Sequence, residues 1–117
     1  MAEIFIKNLL VRTEIGFNEH ELGKRQDLLI NLKLEFDAIG EEVSDDPDMA
    51  LDYRAICKQI IETIENSSFN LIEAVANKVL DVAVSNSRVK KATVEIDKPH
   101  ALRFAESVSV KLSRNGS

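Results

Sequence analysis

Alternation of apolar and polar side chains with period two marks most of the strands in this chain. Leu28, Ile30, Leu32, Leu34 and Phe36 alternate with Leu29, Asn31, Lys33 and Glu35. Ala92, Val94 and Ile96 alternate with Thr93, Glu95 and Asp97, and Val108, Val110 and Leu112 with Ser107, Ser109, Lys111 and Ser113. Each stretch carries one apolar face, the pattern of antiparallel strands packed on one side only. Ile4 to Val11 reads as a further strand that comes first, and Glu14-Ile15-Gly16-Phe17 turns it, with Gly16 free to take positive φ. Asn18 to Arg25 is a polar connection holding Glu19, His20 and Glu21.

Two segments have a helical period instead. Ile56, Ile60, Ile61 and Ile64 recur from near Asp52 until Asn66-Ser67-Ser68. Leu71, Ile72, Val75, Ala76, Val79, Leu80 and Ala83 form a broad apolar stripe. Gly40 to Met49 is acidic and irregular, with Ser44-Asp45-Asp46-Pro47-Asp48 as a turn cluster. The order is β-β-α-α-β-β. It implies an α+β layer, a four-stranded antiparallel sheet with two helices on one face. The other face would carry Asn31, Lys33, Glu35, Thr93, Glu95, Ser107 and Ser109, which suit water. Long alternating strands also leave exposed edges, which closure with neighbouring subunits into a ring-shaped barrel would remove.

A length of 117 residues fits a single domain, residues 1–117, without repeats or linkers. The formal net charge of −5, with no basic stripe among aromatics, argues against a nucleic-acid surface. One cysteine, Cys57, allows no disulfide framework and suits a reducing cytoplasm. The opening Met1-Ala2-Glu3-Ile4-Phe5-Ile6-Lys7 does not read as a signal sequence, and no apolar run is long enough to span a membrane.

The chemistry-bearing residues concentrate in the last quarter. Pro99 ends the strand that contains Val94 and Ile96, having no N–H for the ladder. Lys98, His100 and Arg103 then fall within six positions, in a connector that has no Gly, Asn or Asp to make its turn. Cations at a strand end are also what a solvated edge carries. Asn70-x-x-Glu73, with Phe69 before it, reads as a capping box with a hydrophobic staple. A tyrosine at a helix start, as Tyr53 is, commonly packs its ring and wets its hydroxyl. His20, His100 and Cys57 are too few and too scattered for a metal site, so no metal is expected.

Ser44-Asp45-Asp46, Leu51-Asp52-Tyr53, Phe69-Asn70-Leu71-Ile72-Glu73 and Asp97-Lys98-Pro99, in that order, resemble the dihydroneopterin aldolase family. Arg12-Thr13-Glu14-Ile15-Gly16 is similar to its first-strand turn. Three stretches look more like the branch that epimerises dihydroneopterin triphosphate at C2′. They are Arg25-Gln26-Asp27, Ala50-Leu51-Asp52-Tyr53-Arg54 and the run from His100 to Ser109. The resemblance implies the tunnelling fold, in which four subunits close a barrel and two such rings stack into a homo-octamer. It also implies active sites shared between subunits, a small pterin substrate, and no cofactor.

By the same resemblance, Lys98 is the acid/base group at the 2′-hydroxyl; His100 and Arg103, close behind it in the chain, are candidate cationic neighbours that would lower its pKa. Tyr53 comes from the adjacent subunit together with the Leu51 segment. Glu21 lies in the loop that closes over the site. Glu73 pairs with the aminopyrimidine edge of the pterin, beside backbone N–H groups around Leu71 and Ile72. A 7,8-dihydropterin has a C=N bond next to its side chain, which can accept the electrons of the C1′–C2′ bond. Cleavage and re-addition from the other face make an epimerase. Cleavage and release make an aldolase that yields 6-hydroxymethyl-7,8-dihydropterin and glycolaldehyde. A pterin-binding ring without turnover is the reading from a different class. The surplus cations Lys24, Arg25, Arg54, His100 and Arg103 would suit a triphosphate tail.

Overall fold

The computed structural model describes residues 1–116. Strands β1 (Ala2–Ile15) and β2 (Arg25–Phe36) are followed by a short helix α1 (Glu41–Ser44). Then come α2 (Tyr53–Glu65), β3 (Ser68–Phe69), α3 (Ile72–Val84), β4 (Val89–Pro99) and β5 (Ser107–Asn115). The sheet order is β3-β1-β2-β4-β5. Every pairing is antiparallel except β3 with β1. The α+β layer and its strand and helix order therefore follow the periodicity. The additions are the single turn α1, the two-residue β3 and 3₁₀ turns at Glu19–Glu21 and Pro47–Met49, all too short to have a period.

The core lies between the sheet and the two long helices. Leu28, Ile30, Leu32, Leu34 and Phe36 of β2 and Ala92, Val94 and Ile96 of β4 are buried. They face Ile56, Ile60 and Ile64 of α2 and Val75, Val79 and Leu80 of α3, which are buried as well. β1 is longer than its alternation suggests, because a bulge resets the alternation midway. Ile6 pairs with Leu32 but Leu9 pairs with Ile30, so Lys7 and Asn8 together face one residue, Asn31. Asn8 takes φ +52°, and its N–H donates to the Asn31 side-chain oxygen at 2.9 Å. The extra residue keeps both Ile6 and Leu9 toward the helices.

The helices do not cover the outermost strand completely. Val108 and Val110 of β5 pack on the core, but Leu112, expected on the same buried face, is 37% exposed. The opposite sheet face carries Asn31, Lys33, Thr93 and Glu95 as expected, together with the exposed Phe5 and Leu10. The acidic loop before α2 is held by one arginine. Arg88 donates to the carbonyls of Met49 (2.6 Å) and Asp37 (3.1 Å) and to Glu41 (2.8 Å), and it lies over the Phe36 ring.

The start of α3 corrects one expectation. Leu71, not Asn70, is the N-cap, and no side chain caps the helix. Glu73 is thus the second helical residue, and the capping box does not form. The reason lies upstream: Asn70 follows directly on β3, whose pairing with β1 sets the helix start one residue later.

Candidate active site

The site is built where β1, β2 and β4 run past the ends of the helices. Along β2, Gln26 has the same phase as Leu28 and Ile30; along β4, Lys98 has the same phase as Val94 and Ile96. Both therefore turn to the helix side of the sheet, at its uncovered end. A 3₁₀ turn, Glu19–Glu21, folds the loop after β1 over them. It buries Glu21, while Glu19 and His20 stay exposed. The loop register is thereby resolved, since Glu21 alone of these three points inward.

Glu21 and Lys98 form a hydrogen-bonded ion pair, with side chains 9% and 14% exposed respectively. The same Glu21 oxygen accepts from Gln26 Nε2 at 3.1 Å, and the other oxygen accepts from Asn18 Nδ2 at 3.1 Å. Gln26 is fixed in turn by donating to the Ile15 carbonyl at 2.8 Å. Beneath the carboxylate lies Gly16, at φ +120°. A Cβ there would overlap the Glu21 carboxyl group, so the close approach requires glycine.

The Lys98 hydrogen bond, then that of Gln26, hold the Glu21 carboxyl at about 2, against burial acting in the opposite direction. A carboxyl depressed on folding stabilises the fold above its unfolded pKa and loses that contribution as pH falls through the folded value. The window here runs from about 4.5 down to about 2. Side-chain carbon NMR of the Glu21 carboxyl should show a titration midpoint at the lower end of that window. A midpoint near 4.5 would mean that the pair with Lys98 does not form in solution.

β3 delivers the other side of the site. Gly16 N–H donates to the Phe69 carbonyl at 3.0 Å. The buried Thr13 hydroxyl lies 2.9 Å from the Ile64 carbonyl and 2.7 Å from that of Ser67, so its proton is shared between them. These bonds fasten the end of α2 and the start of α3 to the end of β1. A cleft of about 260 Å³ results, running from Glu21 and Gly16 to Ser68, Phe69 and Asn70. On the far side of Glu21 a second cleft, of about 400 Å³, is lined by Lys98, His100, His20, Lys24 and Arg25. His100 sits at φ +61° and makes the turn that a Gly or Asn would ordinarily make.

The remaining sequence candidates divide into three groups. Glu73 is exposed in the first turn of α3, Leu71 is 47% exposed and the Ile72 side chain is in the core; they follow Asn70 of the smaller cleft but line neither cleft themselves. Tyr53, 45% exposed, stands at the start of α2. With Leu51 and Arg54 it lines a cleft of about 440 Å³ that shares no residue with the Glu21–Lys98 clefts. The Arg103 guanidinium lies over the Phe104 ring, 5.4 Å from the centroid, and it lines neither cleft beside Lys98. The charged neighbour that the fold supplies to Lys98 is a carboxylate. Asn18, Gln26 and Gly16 join the site without being marked for it by the sequence motifs. A polar Gln26 in the apolar phase of β2 is the signal that could have marked it.

The chain as a whole is similar to known proteins in sequence and fold. The dihydroneopterin aldolase (FolB) family model matches residues 4–113. A dihydroneopterin triphosphate 2′-epimerase from Pseudomonas aeruginosa is 46% identical over 113 residues, covering 97% of this chain and 92% of that protein. One from Escherichia coli K12 is 47% identical over 112 residues, covering 96% and 93%. The crystal structure of E. coli dihydroneopterin aldolase in complex with neopterin superposes with a TM-score of 0.92 at 28% identity, covering 98% of this chain and all of that one. With a family model spanning nearly its whole length and near-half identity to such relatives, this chain belongs to the dihydroneopterin aldolase family.

Proposed function

We propose that the protein epimerises 7,8-dihydroneopterin triphosphate at C2′ by retro-aldol cleavage and re-addition. The observation that carries this is the Lys98–Glu21 pair, buried at the end of β4 with an open cleft on each side. Lys98 handles the proton of the 2′-hydroxyl. As that proton leaves, the C1′–C2′ bond breaks and its electrons enter the ring C=N, whose nitrogen takes up a proton, giving an enamine and a bound aldehyde. The aldehyde turns, C1′ attacks its other face, the ring nitrogen gives its proton back as the C=N re-forms, and the alkoxide regains a proton. Glu21 holds Lys98 in place throughout. Glu73 pairs with the aminopyrimidine edge, and the N–H groups of Leu71 and Ile72 assist at the helix start.

Tyr53 and the Leu51 segment complete the site from a neighbouring copy. Two features support this: their separate cleft within one chain, and the long unpaired edges of β1 and β5. Closing those edges on one another makes a tetrameric ring, and two rings stack into an octamer. The one cysteine, partly buried, fits a reducing cytoplasm. A monomer by light scattering at micromolar concentration would overturn the shared site.

A dihydroneopterin aldolase is the second reading, favoured by the family model and by the neopterin complex of the related fold. The test is turnover of both substrates. Faster epimerisation of the triphosphate is the expected result. Faster cleavage of unphosphorylated dihydroneopterin than any epimerisation moves the assignment to the aldolase.

A further inference from the structure

We infer that the basic cleft lined by Lys24, Arg25, His20 and His100 is the subsite for the substrate's phosphate tail, and that Arg103 takes no part in it. The inference rests on the proposed pterin substrate and extends it to the part of the molecule beyond C2′.

Three observations carry it. The first is order along the site. Glu21 belongs to both clefts: one runs to Phe69 and Asn70 at the start of α3, the other to Lys24, Arg25 and the two histidines. A pterin ring at the α3 end, with C2′ at Lys98, leaves C3′ and its triphosphate directed into the second cleft.

The second is charge. The acidic group in the second cleft, Glu21, is already neutralised by Lys98. Among the described residues no carboxylate pairs with Lys24, Arg25, His20 or His100. On a chain of net charge −5, this leaves a local excess of cations. Arg25 is a fixed charge, donating to the backbone carbonyls of Arg12 (3.1 Å) and Glu65 (3.2 Å). Lys24, His20 and His100 are exposed and can adjust to phosphate oxygens. Gly23, at φ +73°, makes the turn that returns Lys24 to the cleft, where its N–H donates to the Glu21 carbonyl at 3.2 Å.

The third is room. The cleft continues into another of about 460 Å³, which shares Arg25, Gln26 and His100. A long, hydrated polyanion needs such an open groove more than a closed pocket.

The test compares kcat/KM for 7,8-dihydroneopterin triphosphate and for 7,8-dihydroneopterin in wild type, Lys24→Ala, Lys24→Arg and Lys90→Ala. The ratio of the two constants should fall about tenfold or more in Lys24→Ala, as loss of one charge-assisted hydrogen bond produces. Lys24→Arg should restore it. Lys90→Ala removes the same charge near the other end of β4 and should leave the ratio unchanged. Binding of inorganic tripolyphosphate, by calorimetry, should weaken in the same order. An unchanged ratio in a Lys24→Ala/His20→Ala double variant overturns the subsite, as does tripolyphosphate binding equally to that variant and wild type. Turnover of neither substrate by wild type overturns the pterin reading instead, and the tripolyphosphate measurement still decides whether the cleft binds polyphosphate.

Discussion

Lys98→Ala should lower kcat by about 10²–10⁴-fold on whichever dihydroneopterin the protein turns over, the range for removing a general acid–base group. Binding of the pterin ring should persist, because the start of α3 is untouched. A loss confined to KM, or a kcat within a few-fold of wild type, would sink the assignment. The structure supplies a second way to lose activity, which has to be separated. Removing the ammonium leaves the Glu21 carboxylate buried with only Gln26 and Asn18 as side-chain donors, and an orphaned buried charge is destabilising. Adding Glu21→Gln to Lys98→Ala removes that charge without restoring the amine. Activity should remain lost in the double variant. Recovery would mean that the single substitution acted through the stranded carboxylate.

Gly16→Ala should cost about 10–100-fold in kcat, although Gly16 touches no reacting atom. Its φ of +120° is unfavourable for alanine, and the added Cβ would occupy the position of the Glu21 carboxyl. The carboxyl is the far end of a flexible side chain, so the fold can survive by moving it aside. That movement breaks the bonds to Lys98, Gln26 and Asn18 together. Hydrogen bonds to charged groups contribute roughly 1.5–3 kcal/mol, which corresponds to the stated loss. The readout specific to this route is a double variant: Gly16→Ala/Glu21→Ala should be no slower than Glu21→Ala alone. An additive further loss would show that Gly16→Ala acts on the backbone rather than on Glu21. Retained activity in Gly16→Ala would show that Glu21 need not sit above residue 16.

Much of this architecture is legible in local pattern. Period two in β2, β4 and β5 and the helical stripes of α2 and α3 state which side of each element is apolar, and burial follows them closely. Asp52 caps α2 as its position suggests, accepting from Ala55 N–H at 3.0 Å. The alternation fails where an interaction from elsewhere overrides it. In β1 the bulge at Asn8 depends on Asn31 across the ladder. At α3 the pairing of β3 with β1 displaces the cap from Asn70 to Leu71.

The candidate site divides in the same way. Lys98, Tyr53 and Glu73 are marked by short motifs, because motif spacing survives in one dimension, whereas Glu21 shares its loop with Glu19 and His20 and only the fold separates them. Lys98 and Gln26 also carry a physical signal, a polar side chain in the apolar phase of a strand. The chain by itself thus determined which faces are buried, which of the longer elements form and which residue types are available for proton transfer. Only the tertiary structure decided their partners. It closed Glu21 onto Lys98 across 77 positions of sequence, fitted Gly16 beneath the carboxylate, and turned Arg103 onto Phe104 while Lys24 and His20 joined His100 in the cleft. Periodicity reports whether a side chain faces the core or water. Which distant side chain it meets depends on strand register and loop closure, and neither is written in any one segment.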